Sequence, residues 1–267
     1  MIPKIIHYCW FGNNEKPEVI KKCIESWQKF CPDYEIIEWN ESNFDINMYT
    51  YVKEAYEAKK WAFVSDVARL WVVYTHGGIY MDTDVEFLDS IDDLLKYKLF
   101  ISFESERSIN TGLGFGAEKN NQLVKKILDD YKARRFKLDN GKFNMTACPS
   151  YNTQVIVDNI PCLKLDGSEQ CYNDYLFVSC GHYNKLMYHY WSASWTDTPN
   201  LSLDKKGGWK DTRIKRFLRK PERVAFLEKH LSKRLFKMYI FIAYDLQEFE
   251  MKWIVEKIKS KLRKNTN

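Results

Sequence analysis

No stretch of this sequence approaches the roughly 18 consecutive apolar residues that a membrane-crossing helix requires, and MYIFIAY falls far short. The chain has no internal repeat, no low-complexity segment and no nucleic-acid-binding motif. Its seven cysteines, Cys9, Cys23, Cys31, Cys148, Cys162, Cys171 and Cys180, show no CxxC spacing and no Cys/His cluster, which argues against a zinc site. An odd number of cysteines and no secretory leader point to reduced thiols in the cytosol. Transmembrane, zinc-finger and nucleic-acid-binding classes are thereby set aside.

What is present is enough for a sizeable core. Of the 267 residues, 45% are hydrophobic, which suits one ordinary domain with a modest appendage. The 17 Tyr and 9 Trp suit stacking on sugars or bases as readily as an ordinary core. The net charge of +5 is unevenly spread. Residues 210–267 hold 17 Lys and Arg against 7 Asp and Glu, so the part before them is net acidic. The basic character belongs to the tail.

Along the chain, IPKIIHYCWFG reads as a strand and PEVIKKCIESWQKFCP as a helix stopped by Pro32. YEIIEW reads as a second strand, YVKEAYEAKKWAFVSDVARLWVVYTHGG as helical stretches ended by glycines, and IYMDTDV as a third strand. This alternation predicts an α/β fold with a mainly parallel sheet. KLFISFE and LGFGA follow as strands and NQLVKKILDDYKARRF as a helix, with short strands or loops after it. Beyond DKKGGWKD, Val224, Leu227, Leu231, Leu235, Met238 and Ile242 keep helical spacing, as do Phe249, Trp253, Ile258 and Leu262.

The stretch HGGIYMDTDVEFL poses the chemical question. Asp82 and Asp84 close an apolar run, and two neighbouring carboxylates repel and are costly to desolvate. If both lie on a strand they share a face at its C-terminal end, where open α/β sheets bind ligands. Taken alone such a pair is a solvated strand end. A hard divalent ion, Mn²⁺ or Mg²⁺, carrying phosphate oxygens would neutralise it. Upstream, Asp66 and Arg69 share a helix face and can form an internal ion pair. The combination S-D-x-x-R, G-G-x-Y and D-x-D is more specific than any of its parts.

These motifs, with IPKIIHYCWFG at the start and HYWSASW near position 190, resemble glycosyltransferase family 32, the DXD group related to the clostridial glucosylating toxins. The likeness covers most of residues 1–200 and is similar to bacterial capsule and surface-polysaccharide members. It implies a GT-A catalytic domain over 1–208, a nucleotide-sugar donor, Mn²⁺ or Mg²⁺, and transfer with retention. By the same likeness Trp10 stacks on the donor base, Asp66 and Arg69 hold sugar hydroxyls, and Tyr80 lies against the donor. Asp82 and Asp84 form the metal motif with His189 as a further ligand, while Ser194 and Trp195 contact the diphosphate. Asp66, Arg69, Asp82 and Asp84 are thus the expected catalytic set. Asn110 is a candidate for the donor sugar, and Asn152 and Gln154 for the acceptor side. His7 reads as a packed structural histidine and His76 as a helix cap. No residue is marked as a covalent nucleophile.

The expected function is transfer of a sugar, galactose by family habit, or glucose or an N-acetylated sugar, from a UDP-sugar to a lipid-linked glycan. The basic helical extension, 209–267, is expected either to pack on the core or to rest on an anionic membrane. That would make the protein cytoplasmic and peripheral to the inner face of the membrane. Two other readings compete: a haloacid-dehalogenase-like phosphatase, whose nucleophile motif DTDV imitates, and a non-catalytic peripheral membrane protein of the same fold.

Overall fold

The computed structural model describes residues 1–190. Ser194, Trp195, the 208/209 boundary and the basic extension lie outside the described residues.

The first third alternates as expected: β1 (Ile5–Cys9), α1 (Glu18–Phe30), β2 (Glu35–Trp39), α2 (Thr50–Glu57), α3 (Trp61–His76), β3 (Gly78–Tyr80) and β4 (Val85–Phe87). Then come β5 (Leu99–Ser105), β6 (Ser108–Ala117), α4 (Gln122–Asp130), α5 (Cys148–Asn159), β7 (Gln170–Tyr172), β8 (Tyr175–Val178), α6 (Cys180–Leu186) and β9 (Met187–His189).

Seven strands form one sheet in the order β2-β1-β3-β6-β5-β8-β7. β1 pairs in parallel with β2 and β3, and β5 with β8; β6 and β7 run against their neighbours. The fold class is therefore the one expected, an α/β domain with a largely parallel central sheet flanked by helices. Alternating side chains feed two cores. Tyr80, Leu99, Ile101 and Phe103 pack with α2 to α5 on one face, while Ile79, Met81 and Phe100 pack with α1 on the other.

The helix α3 is apolar on most sides because it is buried between the sheet and α2 and α4. It stops at Gly77, whose φ of 72° is the left-handed region that a Cβ disfavours. His7 is buried and structural, as expected: Nε2 donates to the Gly77 carbonyl at 2.8 Å and Nδ1 accepts from the Trp39 indole at 3.1 Å.

One expectation is corrected. IYMDTDV is not a single strand: β3 ends at Tyr80, Thr83 and Asp84 form a turn, and Val85 begins β4. The strand β4 leaves the main sheet and pairs with β9, Val85 opposite His189. Asp82 and Asp84 thus sit on a loop beyond a strand end, and do not share a face of one strand.

Candidate active site

The short β4–β9 ladder brings His189 to the Asp-x-Asp loop. His189 Nε2 lies 3.1 Å from Asp84 Oδ1, and the Tyr190 amide donates to the Asp84 carbonyl at 2.9 Å. One ligand atom from each of Asp82, Asp84 and His189 falls within 4.8 Å of the others. Two carboxylate oxygens and an imidazole nitrogen are a hard donor set that fits Mg²⁺ or Mn²⁺. The three residues expected as metal ligands are therefore together. Burial disfavours the charged His189 ring, but Asp84 outweighs it and holds the pKa above the ordinary histidine value.

A second cluster begins at Asp82. Its Oδ1 lies 3.1 Å from Arg69 Nη2 and accepts from the Tyr80 hydroxyl at 3.0 Å. The same guanidinium nitrogen lies 3.1 Å from Asp66 Oδ1, and the Arg69 guanidinium carbon stands 4.9 Å from the Tyr80 ring centre. The cation beside Asp82 is thus a residue of the chain itself, Arg69. Asp66 and Arg69 are one helical turn apart on α3, and both are buried. Burial pushes the Asp66 carboxyl up to about 6, with Arg69 opposing the shift and Asp82 adding to it. Asp82 is raised too, mainly by burial, with Arg69 again opposing.

The strand β6 forms the floor. A Cβ on Gly112 would stand 2.5 Å from Asp82 Oδ2, 2.9 Å from Arg69 Nη1 and 3.0 Å from Asn110 Oδ1, so glycine is what lets these three converge. Asn110, expected at the sugar, is among them, and its Oδ1 accepts from the Gly112 amide at 2.6 Å.

Trp10 lies at the end of β1, half-buried, and its indole donates to the Asn14 carbonyl at 2.7 Å. It lines a cleft of about 830 Å³ with Lys16, Asn40, Glu41, Tyr56 and Trp61. Since β1 and β3 are parallel neighbours, with His7 opposite Tyr80, this cleft and Asp82 lie off the same edge of the sheet. The Asp and Arg cluster is not part of the cleft's lining.

Asn152 and Gln154, paired in the sequence reading, separate in the structure. Gln154 is exposed and donates to Asp158, away from the site. Asn152 is buried and donates to Thr111 Oγ1 at 2.9 Å. His76 is not the cap it was expected to be: it is the last residue of α3, Gly77 is the cap, and the His76 ring lies between Trp39 and Trp71.

Sequence reasoning missed Cys148. Its sulfur lies 3.9 Å from Arg69 Nη1 and from Thr111 Oγ1, and the thiol donates to Asn110 Oδ1 at 3.7 Å. Burial and the neighbouring Asp66 drive its pKa well above that of a free thiol, so it is a neutral packing and hydrogen-bonding group. The signal available was the helical spacing of Cys148, Asn152 and Ile156 at every fourth residue. All seven cysteines are free, as the scattered pattern implied.

An α/β domain with two carboxylates and a histidine gathered off one strand end, next to a buried Asp-Arg-Asp cluster, has the parts of a metal-assisted group-transfer site. Residues 17–101 match the family model described as the glycosyltransferase sugar-binding region containing DXD motif. Inositol phosphoceramide mannosyltransferase 3 of Schizosaccharomyces pombe is 34% identical over 123 residues, 43% of this chain and 33% of that protein. Mannosyl phosphorylinositol ceramide synthase CSH1 of Saccharomyces cerevisiae is 27% identical over 143 residues, 49% of this chain and 36% of that protein. The chain thus spans about a third of the length of these curated relatives. Among solved structures, PaToxG glycosyltransferase aligns at TM-score 0.47 and 19% identity, covering 60% of this chain and 70% of that one. A glycosyltransferase involved in glycosylating the major capsid of PBCV-1 aligns at TM-score 0.43 and 12% identity, covering 72% and 96%.

Proposed function

We propose that the protein is a GT-A glycosyltransferase that moves a hexose from a nucleotide-sugar donor to a lipid-linked acceptor, with retention of configuration. The observation that carries the reading is the convergence of Asp82, Asp84 and His189 beside the Asp66–Arg69 pair, within a chain that carries the DXD sugar-binding region.

A divalent ion held by Asp82, Asp84 and His189 would supply Lewis-acid stabilisation and a template for the leaving diphosphate. The chain's own residues do the rest. Trp10 offers a ring face at the cleft for the base, and Tyr80 and Arg69 hold Asp82 by its Oδ1. Asp66 and Arg69, fixed to one another, accept from and donate to sugar hydroxyls, and Asn110 adds a carboxamide. Gly112 lets Asp82, Arg69 and Asn110 stand together, so that the three can meet one sugar ring. A carboxylate near the ring also favours the positive charge that develops at the anomeric carbon. Arg69 pairs with one oxygen of Asp66 and one of Asp82 and so lowers the nucleophilicity of both carboxylates, which is compatible with same-face attack by the acceptor. The same bridge weighs against the phosphatase reading, whose nucleophile would be Asp82.

The donor sugar is a hexose: galactose or glucose follows from family habit, and mannose from the two fungal enzymes named above. The lipid-linked acceptor fits a protein working at the inner face of a membrane, with the basic extension resting on anionic lipid. Among the described residues no helix is long and apolar enough to cross a membrane.

The test is a thermal-shift panel of UDP-, GDP- and dTDP-hexoses, each with Mn²⁺ and with EDTA. A ligand that binds only the folded state raises the melting temperature by mass action. A metal-dependent shift with one nucleotide sugar supports the reading and names the donor. No shift with any of them, from a cooperatively melting protein, overturns it and turns the assay to phosphate esters.

A further inference from the structure

The segment between α4 and α5 carries a feature that donor binding does not use. Lys137 and Phe143 pair across a small antiparallel hairpin, the Leu138 amide donates to the Lys142 carbonyl at 2.8 Å, and Gly141 turns the chain with φ 78°. At its root Phe136 is fully buried against Phe63 and Tyr51. One carboxylate on α2 clips the base: Glu54 Oε2 accepts from the Phe136 and Lys137 amides at 2.9 Å each, and Glu54 Oε1 accepts from Arg135 at 2.7 Å. The hairpin is therefore a braced projection.

Its tip has an unusual composition. Apart from the N-terminal Met1, Leu138 and Phe143 are the exposed large hydrophobic residues among those described, at 40% and 42%. Both lie on this one hairpin. Residues 132–143 carry Lys132, Arg134, Arg135, Lys137 and Lys142 against a single acid, Asp139, in a body that is otherwise net acidic. Lys132, Arg134 and Arg135 are engaged by Asp129, Asp130 and Glu54. Lys137 and Lys142, which flank the two apolar side chains, have no ion-pair partner among the described residues. Apolar side chains ringed by unpaired cations are what a bilayer interface with anionic headgroups accepts.

We infer that the Lys137–Phe143 hairpin docks on an anionic phospholipid surface, with Leu138 and Phe143 entering the interface and Lys137 and Lys142 meeting the headgroups. The hairpin leads directly into α5, whose first residue, Cys148, touches Arg69 and Asn110. Docking there would bring lipid to the segment that enters α5 beside the Asp66–Arg69 cluster, which deepens the proposed function by naming the surface that brings the lipid-linked acceptor. It rests on that reading only for the acceptor.

The experiment is sedimentation of the full chain with phosphatidylcholine vesicles, with and without phosphatidylglycerol, in the absence of donor. The variants are Leu138→Ser, Leu138→Ser/Phe143→Ser and Lys137→Glu/Lys142→Glu. Wild type should partition onto the anionic vesicles and far less onto neutral ones. Each lysine charge lost should weaken anionic partitioning roughly fivefold, so the double glutamate variant should weaken it at least about 25-fold, and Leu138→Ser should weaken it severalfold. Melting temperature and donor-induced thermal shift should stay at wild-type values, which separates failure of docking from failure of the transferase reading. Phe143 stacks on Phe136 at 5.3 Å, so a loss of fold in the double serine variant is checked by melting; Leu138→Ser and the lysine pair then carry the test. Unchanged anionic partitioning in folded Leu138→Ser and in the lysine variant would overturn the proposal. Equal binding to neutral and anionic vesicles would overturn it as well.

Discussion

Arg69 Nη2 stands 3.1 Å from an oxygen of Asp66 and 3.1 Å from an oxygen of Asp82, so one guanidinium bridges the helix α3 to the Asp-x-Asp loop. The side chain of Arg69 is only 4% exposed, so water screens its pair with Asp66 little, and that with the part-exposed Asp82 somewhat more. Removing one partner of a buried ionic group leaves the others uncompensated, at about 3–5 kcal/mol. Arg69→Ala should therefore lower unfolding free energy by about that much, as well as abolish transfer. Arg69→Lys keeps the charge but loses the planar fork, so it should recover most of the stability and little of the activity. Denaturant melts and donor turnover on both variants check this; activity restored by lysine would mean that charge alone suffices.

Gly112 is the second position at which the site is sterically determined. The Cβ of alanine there would meet Asp82 Oδ2 at 2.5 Å and Arg69 Nη1 at 2.9 Å. Overpacking of this kind costs about 1–3 kcal/mol, and relief would push the Asp82 carboxylate off its position. Gly112→Ala should remain folded with turnover down by at least about tenfold, since a displaced catalytic group costs that or more. Wild-type turnover in this variant would show that Asp82 moves without consequence.

The first half of the fold was legible because its apolar residues follow helix and strand periods, from β1 to α3. Beyond it, α6 was expected only as a strand or loop, and two regions at the candidate site were also not legible. The loop at Asp82 read as strand because Ile79 to Val85 are apolar or small apart from the two carboxylates; nothing local shows that Val85 deserts the sheet to pair with β9, near the end of the described residues. The helix α5 was hidden for the opposite reason. Its buried face, Cys148, Asn152, Thr153 and Ile156, is largely polar because it packs on the polar stretch of β6. A periodicity search weighs apolar residues and passes over such a face. Of the site, motifs exposed Asp66, Arg69, Asp82, Asp84 and His189, whereas Cys148 and Gly112 emerge only from the three-dimensional approach of β6 and α5.

Two buried hydroxyls near the site make an opposite prediction. Tyr51 and Tyr131 pack edge to face at 5.1 Å, and neither oxygen has a hydrogen-bond partner among the described residues. A buried polar atom without a partner costs free energy, and replacing it with a group of the same shape is neutral or stabilising. Tyr51→Phe and Tyr131→Phe should each leave stability unchanged or raise it by up to about 1 kcal/mol. Chemical denaturation reads this directly; a loss of 2 kcal/mol or more in either would mean that the hydroxyl is satisfied in solution.

His7 ties stability to pH. Burial lowers its pKa from the ordinary histidine value to about 4. Between those two values the unfolded chain binds a proton that the folded chain refuses, so stability falls as pH falls. From pH 7.5 to pH 5 the loss is about 2 kcal/mol. His7→Gln should be less stable at pH 7.5, having lost an optimised pair of hydrogen bonds, but should lack this part of the acid dependence. A wild type and variant whose pH dependences run parallel would mean that His7 protonates in the folded state.

The proposed metal centre yields the most decisive prediction, because its candidate ligands come from two distant segments. Asp84 lies on the turn after β3, and His189 is brought to it by the β4–β9 ladder, with Val85 opposite His189. In the absence of an ion, the imidazole and the carboxylate hold each other, and the raised His189 pKa reflects that pair. An ion competes with a proton for His189, so its binding should weaken as pH falls and should release a proton wherever the ring carries one. Mn²⁺ titration in buffers of different ionisation enthalpy, followed by calorimetry, would register that release. His189→Gln should abolish the proton release while weakening Mn²⁺ binding about 10- to 100-fold, the usual scale for a lost ligand contact or its support. Asp84→Asn should remove both the binding and the donor's metal-dependent thermal shift. If His189→Gln bound Mn²⁺ as tightly as wild type, His189 would be only the hydrogen-bond partner of Asp84, and the ion would be held by the two carboxylates and its donor phosphates.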